Sequence, residues 1–233
     1  MTLTTTTTAA TGGTAPRRIR RLAERQTADR DALYTLLDTE LVGHLAAVVG
    51  DEPVIVPTGY ARDGDHLLVH GSTGGGFALR AASARSIVAF SVTALDGLVF
   101  ARSLFDSSMN YRSVVAYGVL EQVPEDRADA ALLALAERLM PGRAAEVRAT
   151  TRKEIAATRV LRLALDDVVM KARAGGPSEA TDDGEDHAAW AGVVPLERAW
   201  GSPEASPLTP ATTPTPRSVI ALTTGPGADR RLI

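Results

Sequence analysis

A glycine-rich segment, His70-Gly71-Ser72-Thr73-Gly74-Gly75-Gly76, precedes a helical pattern at residues 77–84. Because glycines leave backbone N–H groups uncovered and the start of a helix is partially positive, this arrangement suits a bound phosphate. The hydroxyls of Ser72 and Thr73 add donors, and Arg80 lies one turn into the helix. The spacing matches neither a P-loop nor the GxGxxG motif, so the alternative is a flexible connection between a strand and a helix.

A second polar cluster follows in the stretch that ends at Ser113. Arg102, Tyr111 and Arg112 could surround an anionic or planar ligand through charge and stacking. Asn110 and Ser113 could add hydrogen bonds that orient the ligand. The alternative is a long hairpin loop whose arginines pair with surface carboxylates.

The histidines are His44, His66, His70 and His187. His66 and His70 are four residues apart on a predicted strand and therefore share a face. No third ligand follows at a suitable spacing, so we predict no metal site. His44 is typical of a core or edge histidine, and His187 lies in an acidic, solvated stretch. Trp190 follows that stretch. Its side chain could anchor the segment on the core, or it could form part of the wall of a ligand site.

Composition narrows the class of protein. The 233 residues include 25 Lys and Arg against 28 Asp and Glu, a net charge of -3, which argues against a nucleic-acid partner. The chain has no cysteine, which excludes disulfides, thiolate metal sites and cysteine nucleophiles and fits a reducing compartment. No apolar run approaches the roughly 20 residues of a membrane span, and we recognise no secretory signal. We predict a soluble, cytoplasmic protein with no membrane partner.

The elements that must position these residues lie in one predicted domain. Residues 1–16 are a threonine-rich tract, and residues 201–233 are crowded with Pro and Thr; both are predicted to be disordered. The folded domain is therefore expected at residues 17–200.

Hydrophobic periodicity within this domain predicts a mainly β fold. Helical spacing appears at residues 29–38, 127–140 and 151–158. Short alternating or β-branched runs appear at residues 43–49, 54–60, 66–70, 86–93, 98–104, 112–119 and 160–165. Turn signals, among them Asp96-Gly97, separate these runs. Successive strands joined by tight turns predict an antiparallel barrel with flanking helices and disfavour an alternating βαβ fold.

Seven motifs carry a family resemblance. They are GHLA at 43–46, VIVPTGY at 54–60, HGST at 70–73, DGLVFARS at 96–103, SMNYRSVVAYG at 108–118, PGR at 141–143 and WAGVVPL at 190–196. In this order they resemble the pyridoxamine 5′-phosphate oxidase-like flavoproteins with the FMN-binding split barrel. Within that family, the chain is most similar to the flavin-nucleotide-binding, Nim-type (5-nitroimidazole reductase-like) branch.

The resemblance implies a six-stranded antiparallel split β-barrel with flanking helices, which forms a homodimer and holds FMN at the interface. It implies that the strand of Val56, Pro57 and Thr58 lines the flavin ring. The strand of Arg112 and Ser113 is expected to approach from the second subunit. The full expected cofactor-binding set is Val56, Pro57, Thr58, His70, Gly71, Ser72, Thr73, Arg80, Tyr111, Arg112, Ser113 and Trp190.

One departure from the family pattern bears on the cofactor. Members often carry Ser and Arg where this chain has Gly74, Gly75 and Gly76. A phosphate would then depend on backbone N–H groups and on Ser72, Thr73 and Arg80. The same departure opens two alternatives to FMN, a deazaflavin or haem.

The sequence therefore predicts an FMN-dependent oxidoreductase for a small nitro-aromatic or quinone-like acceptor. His70 is the expected proton donor, because an imidazole titrates near the pH of such reactions. Arg112 would stabilise the negative charge of the reduced ring. True pyridoxamine-phosphate oxidase activity is not expected, because the arginine and histidine set for the substrate phosphate cannot be placed. The alternatives are a non-catalytic binding or carrier protein for flavin, deazaflavin or haem, and a structural module with an empty groove.

Overall fold

The computed structural model describes residues 17, 21–72, 76–178, 187–224 and 229–230. Its helices are α1 (Arg30–Thr39), α2 (Phe77–Ser83), α3 (Ala128–Leu139), α4 (Arg152–Ala157) and α5 (Arg217–Thr224), with short 3-10 turns at Ala23–Arg25, Glu125–Arg127 and Arg143–Ala145. Its strands are β1 (Gln26–Thr27), β2 (Val42–Val49), β3 (Glu52–Gly59), β4 (Ala61–Asp63), β5 (His66–Ser72), β6 (Ile87–Phe100), β7 (Ser108–Val119), β8 (Glu121–Gln122), β9 (Thr158–Ala164), β10 (Asp167–Arg173), β11 (Gly192–Pro195), β12 (Arg198–Ala199) and β13 (Asp229–Arg230).

The strands form two main antiparallel sheets. The larger sheet has the order β1-β10-β7-β6-β2-β3, and β11 adds to the far end of β6. The smaller sheet has the order β4-β5-β9-β8. The barrel is therefore open along one side, and the predicted mainly β split barrel with flanking helices is confirmed.

The core lies between these sheets. Buried residues alternate with exposed or half-buried ones along most of β2 and β6, as Leu45 and Phe90 illustrate, because successive side chains on a strand point to opposite faces. The ring of Tyr60 packs edge-on against Phe90, with centroids 5.3 Å apart. The Tyr60 hydroxyl donates to the carbonyl of Leu37 at 2.8 Å, and burial raises the pKa of this phenol far above its usual range.

Helix α1 closes one side of this core. The carboxylate of Asp29 accepts from the N–H groups of Asp31 and Ala32, which satisfies two donors at the helix start. Leu33 and Leu37, four residues apart, are buried on the inner face. The predicted helices at 29–38, 127–140 and 151–158 are all present, and each of their ends shifts by one residue.

One predicted turn is wrong. Asp96-Gly97 does not separate two strands; β6 runs continuously past it, and Asp96 is an extra residue where the register with β7 shifts. A β-bulge of this kind bends a strand without ending it. Gly97 is required there because a Cβ would lie 2.7 Å from the carbonyl oxygen of Val194 on β11.

Strand β10 was not predicted at all. It pairs with β7 over seven residues, from Asp167 opposite Tyr117 to Arg173 opposite Tyr111. Its sequence DVVMKAR begins and ends with charged residues and alternates weakly, so it gives little periodic signal. The predicted final strand at 160–165 corresponds to β9.

The segment after β11 makes several contacts with the domain, the first of them from the N–H of Leu196 to the carbonyl of Asp96 at 3.0 Å. Arg198 donates from Nη1 to the buried carboxylate of Glu40 at 2.9 Å, and Glu40 is only 6% exposed. Further on, the backbone N–H of Ser218 in α5 donates to Glu146 at 2.9 Å. The predicted disorder of 201–233 in solution, like the proposed domain limits, stays a prediction, and residues 1–16 lie outside the described ranges.

Within these described ranges, no helix is both long and apolar enough to cross a lipid bilayer.

Candidate functional site

An apolar pocket of about 170 Å³ lies where the two sheets separate. Its walls come from β3 of the larger sheet, from β5 and β9 of the smaller sheet, and from the start of α2. The register of β2 with β3 explains one wall: Val56 lies opposite the buried Leu45, and Thr58 lies opposite Gly43, so both point inward.

Four residues of the predicted cofactor set meet in this pocket. Val56 and Thr58 line it from β3, and His70 and Gly71 line it from β5. The two strands belong to different sheets and are not hydrogen-bonded neighbours, so only the tertiary fold brings these residues together. The pocket thus joins the VIVPTGY and HGST motifs at one place.

The pocket also contains a cation that the sequence reasoning missed. Arg159 on β9 pairs with Gly71 on β5 and contributes to the pocket wall. Its Nη1 donates to the carbonyl of Ala156 at 3.2 Å, which holds the guanidinium near the end of α4. No local motif surrounds Arg159; the only signal is the pairing of β9 with β5, which the sequence does not reveal.

The glycine-rich segment is only partly described. Gly76 and the following Phe77 line the pocket, but the predicted Thr73 and two of its glycines lie outside the described residues, and only the backbone of Ser72 is described. Helix α2 has seven residues, and Arg80 lies on its exposed side, away from the pocket wall. The pocket's side-chain positive charge among described residues therefore comes from Arg159 and, when protonated, His70.

Arg112 is held by a carboxylate. Its Nε and Nη2 donate to the two oxygens of Asp96 at 3.0 and 2.9 Å, a bidentate pair at the bulge of β6. Arg112 lies opposite the buried Ala94 and so faces inward. Its expected role beside the flavin ring stays a prediction, and in this chain its charge is already balanced by Asp96.

Three other predicted residues lie on the outer face of the larger sheet. Pro57 pairs with His44, Ser113 pairs with Thr93, and Tyr111 pairs with Leu95. Strands β3 and β7 are three strands apart in the sheet order, or about 14 Å. One chain therefore does not bring Tyr111, Arg112 and Ser113 to the pocket.

Trp190 is a surface residue at the far end of β6. Its ring lies 6.0 Å from that of Phe100 at a tilt of 58°, and the side chain is 67% exposed. Gly192 allows this placement, because a Cβ there would lie 2.8 Å from the indole. Within one chain the residue is neither a core anchor nor a wall of the pocket.

Across the part of the chain that the structure describes, no three His, Asp or Glu side chains converge as metal ligands would. The site is thus a cleft between two sheets, with apolar walls and one arginine, in a split barrel. This combination is typical of proteins that bind an organic cofactor or ligand with an anionic group.

The chain belongs to the pyridoxamine 5′-phosphate oxidase family, whose sequence profile it matches over residues 29–172. The family predicted from the seven motifs is thereby confirmed. None of the curated proteins compared with the chain matches it.

Among the solved structures that match, two cover more than four fifths of the chain. The FAD and haem binding protein from Mycobacterium smegmatis has 45% sequence identity and a TM-score of 0.80; the match covers 85% of this chain and 97% of that one. The flavocytochrome Anf3 from Azotobacter vinelandii has 28% identity and a TM-score of 0.80, with coverage of 87% and 94%.

A third structure bears on the predicted branch. It is a protein from Bacteroides thetaiotaomicron described in connection with 5-nitroimidazole antibiotic resistance, with 14% identity and a TM-score of 0.53; the match covers 63% of this chain and 85% of that one. At this identity the match shows a shared fold and carries no argument about substrate.

Proposed function

We propose that this chain is a flavoprotein that binds a flavin nucleotide at the pocket between the sheets. The observation that carries the proposal is the meeting of Val56, Thr58, His70 and Gly71 with Arg159 in one cleft. The M. smegmatis relative is described as binding FAD, so we extend the FMN predicted from the sequence to FMN or FAD.

The pocket residues fit part of such a cofactor. Arg159 would hold a phosphate oxygen through charge-assisted hydrogen bonds, and the lack of a side chain at Gly71 and Gly76 allows close approach to the backbone. At about 170 Å³ the pocket is smaller than the roughly 300–1,000 Å³ typical of sites for drug-sized ligands. The rest of the cofactor needs surface outside the pocket.

A second copy of the chain would supply that surface. Several large apolar side chains on strands of the larger sheet are exposed, among them Ile55 and Ile87, each 67% exposed. At the tip of the β6–β7 hairpin, Leu104 and Phe105 are 97% and 95% exposed. Several large apolar side chains exposed on one protein are typical of a surface that contacts another protein chain. We propose a homodimer, in which Tyr111 and Ser113 of one copy complete the site of the other.

We further propose that the protein is a flavin-dependent oxidoreductase. A bound flavin supplies the electron transfer, and residues of the chain position the flavin and the acceptor and supply the proton. His70 on the pocket wall would hold a proton on a ring nitrogen and deliver it to a reduced acceptor, while Val56 and Leu161 exclude water. A small nitro-aromatic or quinone-like acceptor is the substrate class we propose.

Haem is a second candidate ligand, favoured by a specific observation. Both well-matched relatives are described with it: one as a FAD and haem binding protein and one as a flavocytochrome. We propose that this chain binds haem in addition to a flavin. The rival function is a carrier that holds flavin, deazaflavin or haem without turning over a substrate.

Flavin titration tests the proposal. Cofactor is removed from the purified protein, and FMN, FAD and a deazaflavin are added separately while flavin fluorescence is followed. We expect saturable binding of FMN or FAD at about one per chain. Binding of the deazaflavin alone, or of none of the three, would contradict the flavoprotein proposal.

Anaerobic reduction then separates an enzyme from a carrier. The flavin-loaded protein is mixed with a nicotinamide nucleotide, and a quinone or nitro-aromatic acceptor is added after bleaching. Bleaching followed by recovery in repeated cycles supports an oxidoreductase. A flavin that stays oxidised with each nicotinamide nucleotide, or that no acceptor reoxidises, supports the carrier.

A further inference from the structure

His44 stands on the outer face of the larger sheet, on strand β2 between β3 and β6. The side chain is exposed, whereas its neighbours Gly43 and Leu45 point inward. Across the sheet it lies opposite Pro57 on β3 and opposite Ser91 on β6. This position separates it from the pocket, which lies on the inner side of the same strands.

The immediate neighbours of His44 on the sheet are uncharged, whereas the charged residues Glu40 and Arg198 line a pocket together with Val42 at the start of β2. Val42 and Ala46 flank it on its own strand, and the diagonal neighbours on the adjacent strands are Ile55, Gly59, Ala89 and Thr93. Most of these side chains are small, so the surface around the imidazole is flat. The three strands span about 10 Å, and Val42 is 54% exposed on this face.

The other histidines lack this environment. His66 lines a pocket that also contains the charged residues Asp63, Arg127 and Arg162. His70 lines the narrow pocket that also holds Arg159. His187 follows an undescribed acidic segment and lies outside the strands of the sheet.

We propose that His44 is the axial ligand of a haem that lies on this flat face of β3, β2 and β6. A neutral imidazole nitrogen donates its lone pair to the iron, and apolar surface on either side accommodates the macrocycle. The second copy of the chain covers the exposed side of the haem. The inference rests on the haem-binding part of the proposed function and adds to it the ligand and the surface.

Haemin titration of the full-length protein tests this assignment. Wild type, His44→Ala and the control His66→Ala are each titrated with haemin, and the Soret band is followed. Wild type and His66→Ala should bind equally, whereas His44→Ala should bind at least about 100-fold more weakly, because even groups that only orient a ligand change metal affinity 10- to 100-fold. Added imidazole should restore the wild-type spectrum to His44→Ala. Unchanged flavin binding and circular dichroism show that this variant is folded.

The experiment distinguishes failure of the proposed haem binding from failure of the assignment of His44. If wild type develops no Soret band, haem binding itself is overturned, and the face serves only as the contact between two copies. If His44→Ala keeps the wild-type affinity and spectrum, haem binding stands and the assignment of His44 is overturned.

Discussion

Arg159 and Arg112 show how pairing decides what an arginine can do in this protein. Arg112 already holds both oxygens of Asp96, so much of its capacity for an anion is used inside the chain. Arg159 donates only to backbone carbonyls in the described residues, and its charge faces the pocket without a carboxylate partner there. At the scale of single residues, Arg159 is therefore the better candidate for a flavin phosphate.

Replacing Arg159 by glutamine should weaken flavin binding. The variant loses a charge-assisted interaction worth about 1.5–3 kcal/mol, so we expect the dissociation constant to rise by roughly 10- to 100-fold. The measurement is the fluorescence titration of cofactor-free protein with FMN and FAD. Arg162→Gln is the matched control, because Arg162 lies on the same strand but pairs with Glu121 at 2.8 Å. Equal flavin affinities for the two variants would show that Arg159 does not contribute to flavin binding.

Replacing His70 by alanine should lower turnover and leave flavin bound. If the imidazole delivers the proton, its removal should slow acceptor reduction by about 100-fold or more. The half-reaction with nicotinamide nucleotide and the reoxidation by acceptor are measured separately by stopped flow. A variant with full turnover would show that His70 only lines the pocket.

The elements depend on close approaches that particular glycines allow. Gly43 on β2 lies against the ring of Phe90, and a Cβ there would be 2.3 Å from two ring atoms. The same Cβ would lie 3.2 Å from the carbonyl oxygen of Ser91, so a side chain at position 43 would crowd both the Phe90 ring and the backbone of β6. This contact brings β2 and β6 together directly behind the face that carries His44.

Gly43→Ala should therefore destabilise the barrel. Overpacking of a buried site costs typically 1–3 kcal/mol, and we expect the upper part of that range because Phe90 is fully buried. Urea denaturation gives the free energy of unfolding. Gly176→Ala, at a position with nothing within 4 Å, should change it by less than about 0.5 kcal/mol. Similar stability of both variants would mean that the β2–β6 contact relaxes without cost.

The sequence predicted those helices and strands that have a clear local hydrophobic periodicity. It failed where contacts between distant parts of the chain determine the local structure. The helix at Arg30–Thr39 and the strand at Val42–Val49 follow from spacing alone. The turn expected at Asp96-Gly97 is a bulge, because the approach of β11, far along the chain, requires a glycine within a continuing strand. The residues around Asp96 and Gly97 do not reveal that β11 packs against this position.

The prediction of the candidate site is limited in the same way, because local motifs can be recognised but long-range strand pairing cannot. The motifs around Val56 and His70 could be recognised, and the structure brings them into one pocket. Arg159 could not be recognised, since its place depends on the pairing of two strands almost ninety residues apart in sequence. The outer face around His44 likewise exists only once β3, β2 and β6 are aligned in register.

At the scale of the whole molecule, the proposed dimer would bury the apolar outer face and the hairpin tip. Ile87→Lys would place an ammonium group in the proposed interface, where burying an unpaired charge costs several kcal/mol. We expect sedimentation to show a monomer for this variant and a dimer for wild type. Leu208→Lys, at a residue 93% exposed in the C-terminal segment, is the control and should remain a dimer. A wild-type monomer that binds flavin fully would overturn the shared-interface proposal.

The most direct test of the central claim is the visible absorbance spectrum of the freshly purified protein, followed by identification of whatever cofactor heat releases. The account predicts oxidised-flavin bands together with a Soret band, and FMN or FAD released at about one per chain. A colourless protein that takes up neither added flavin nor added haemin would contradict it.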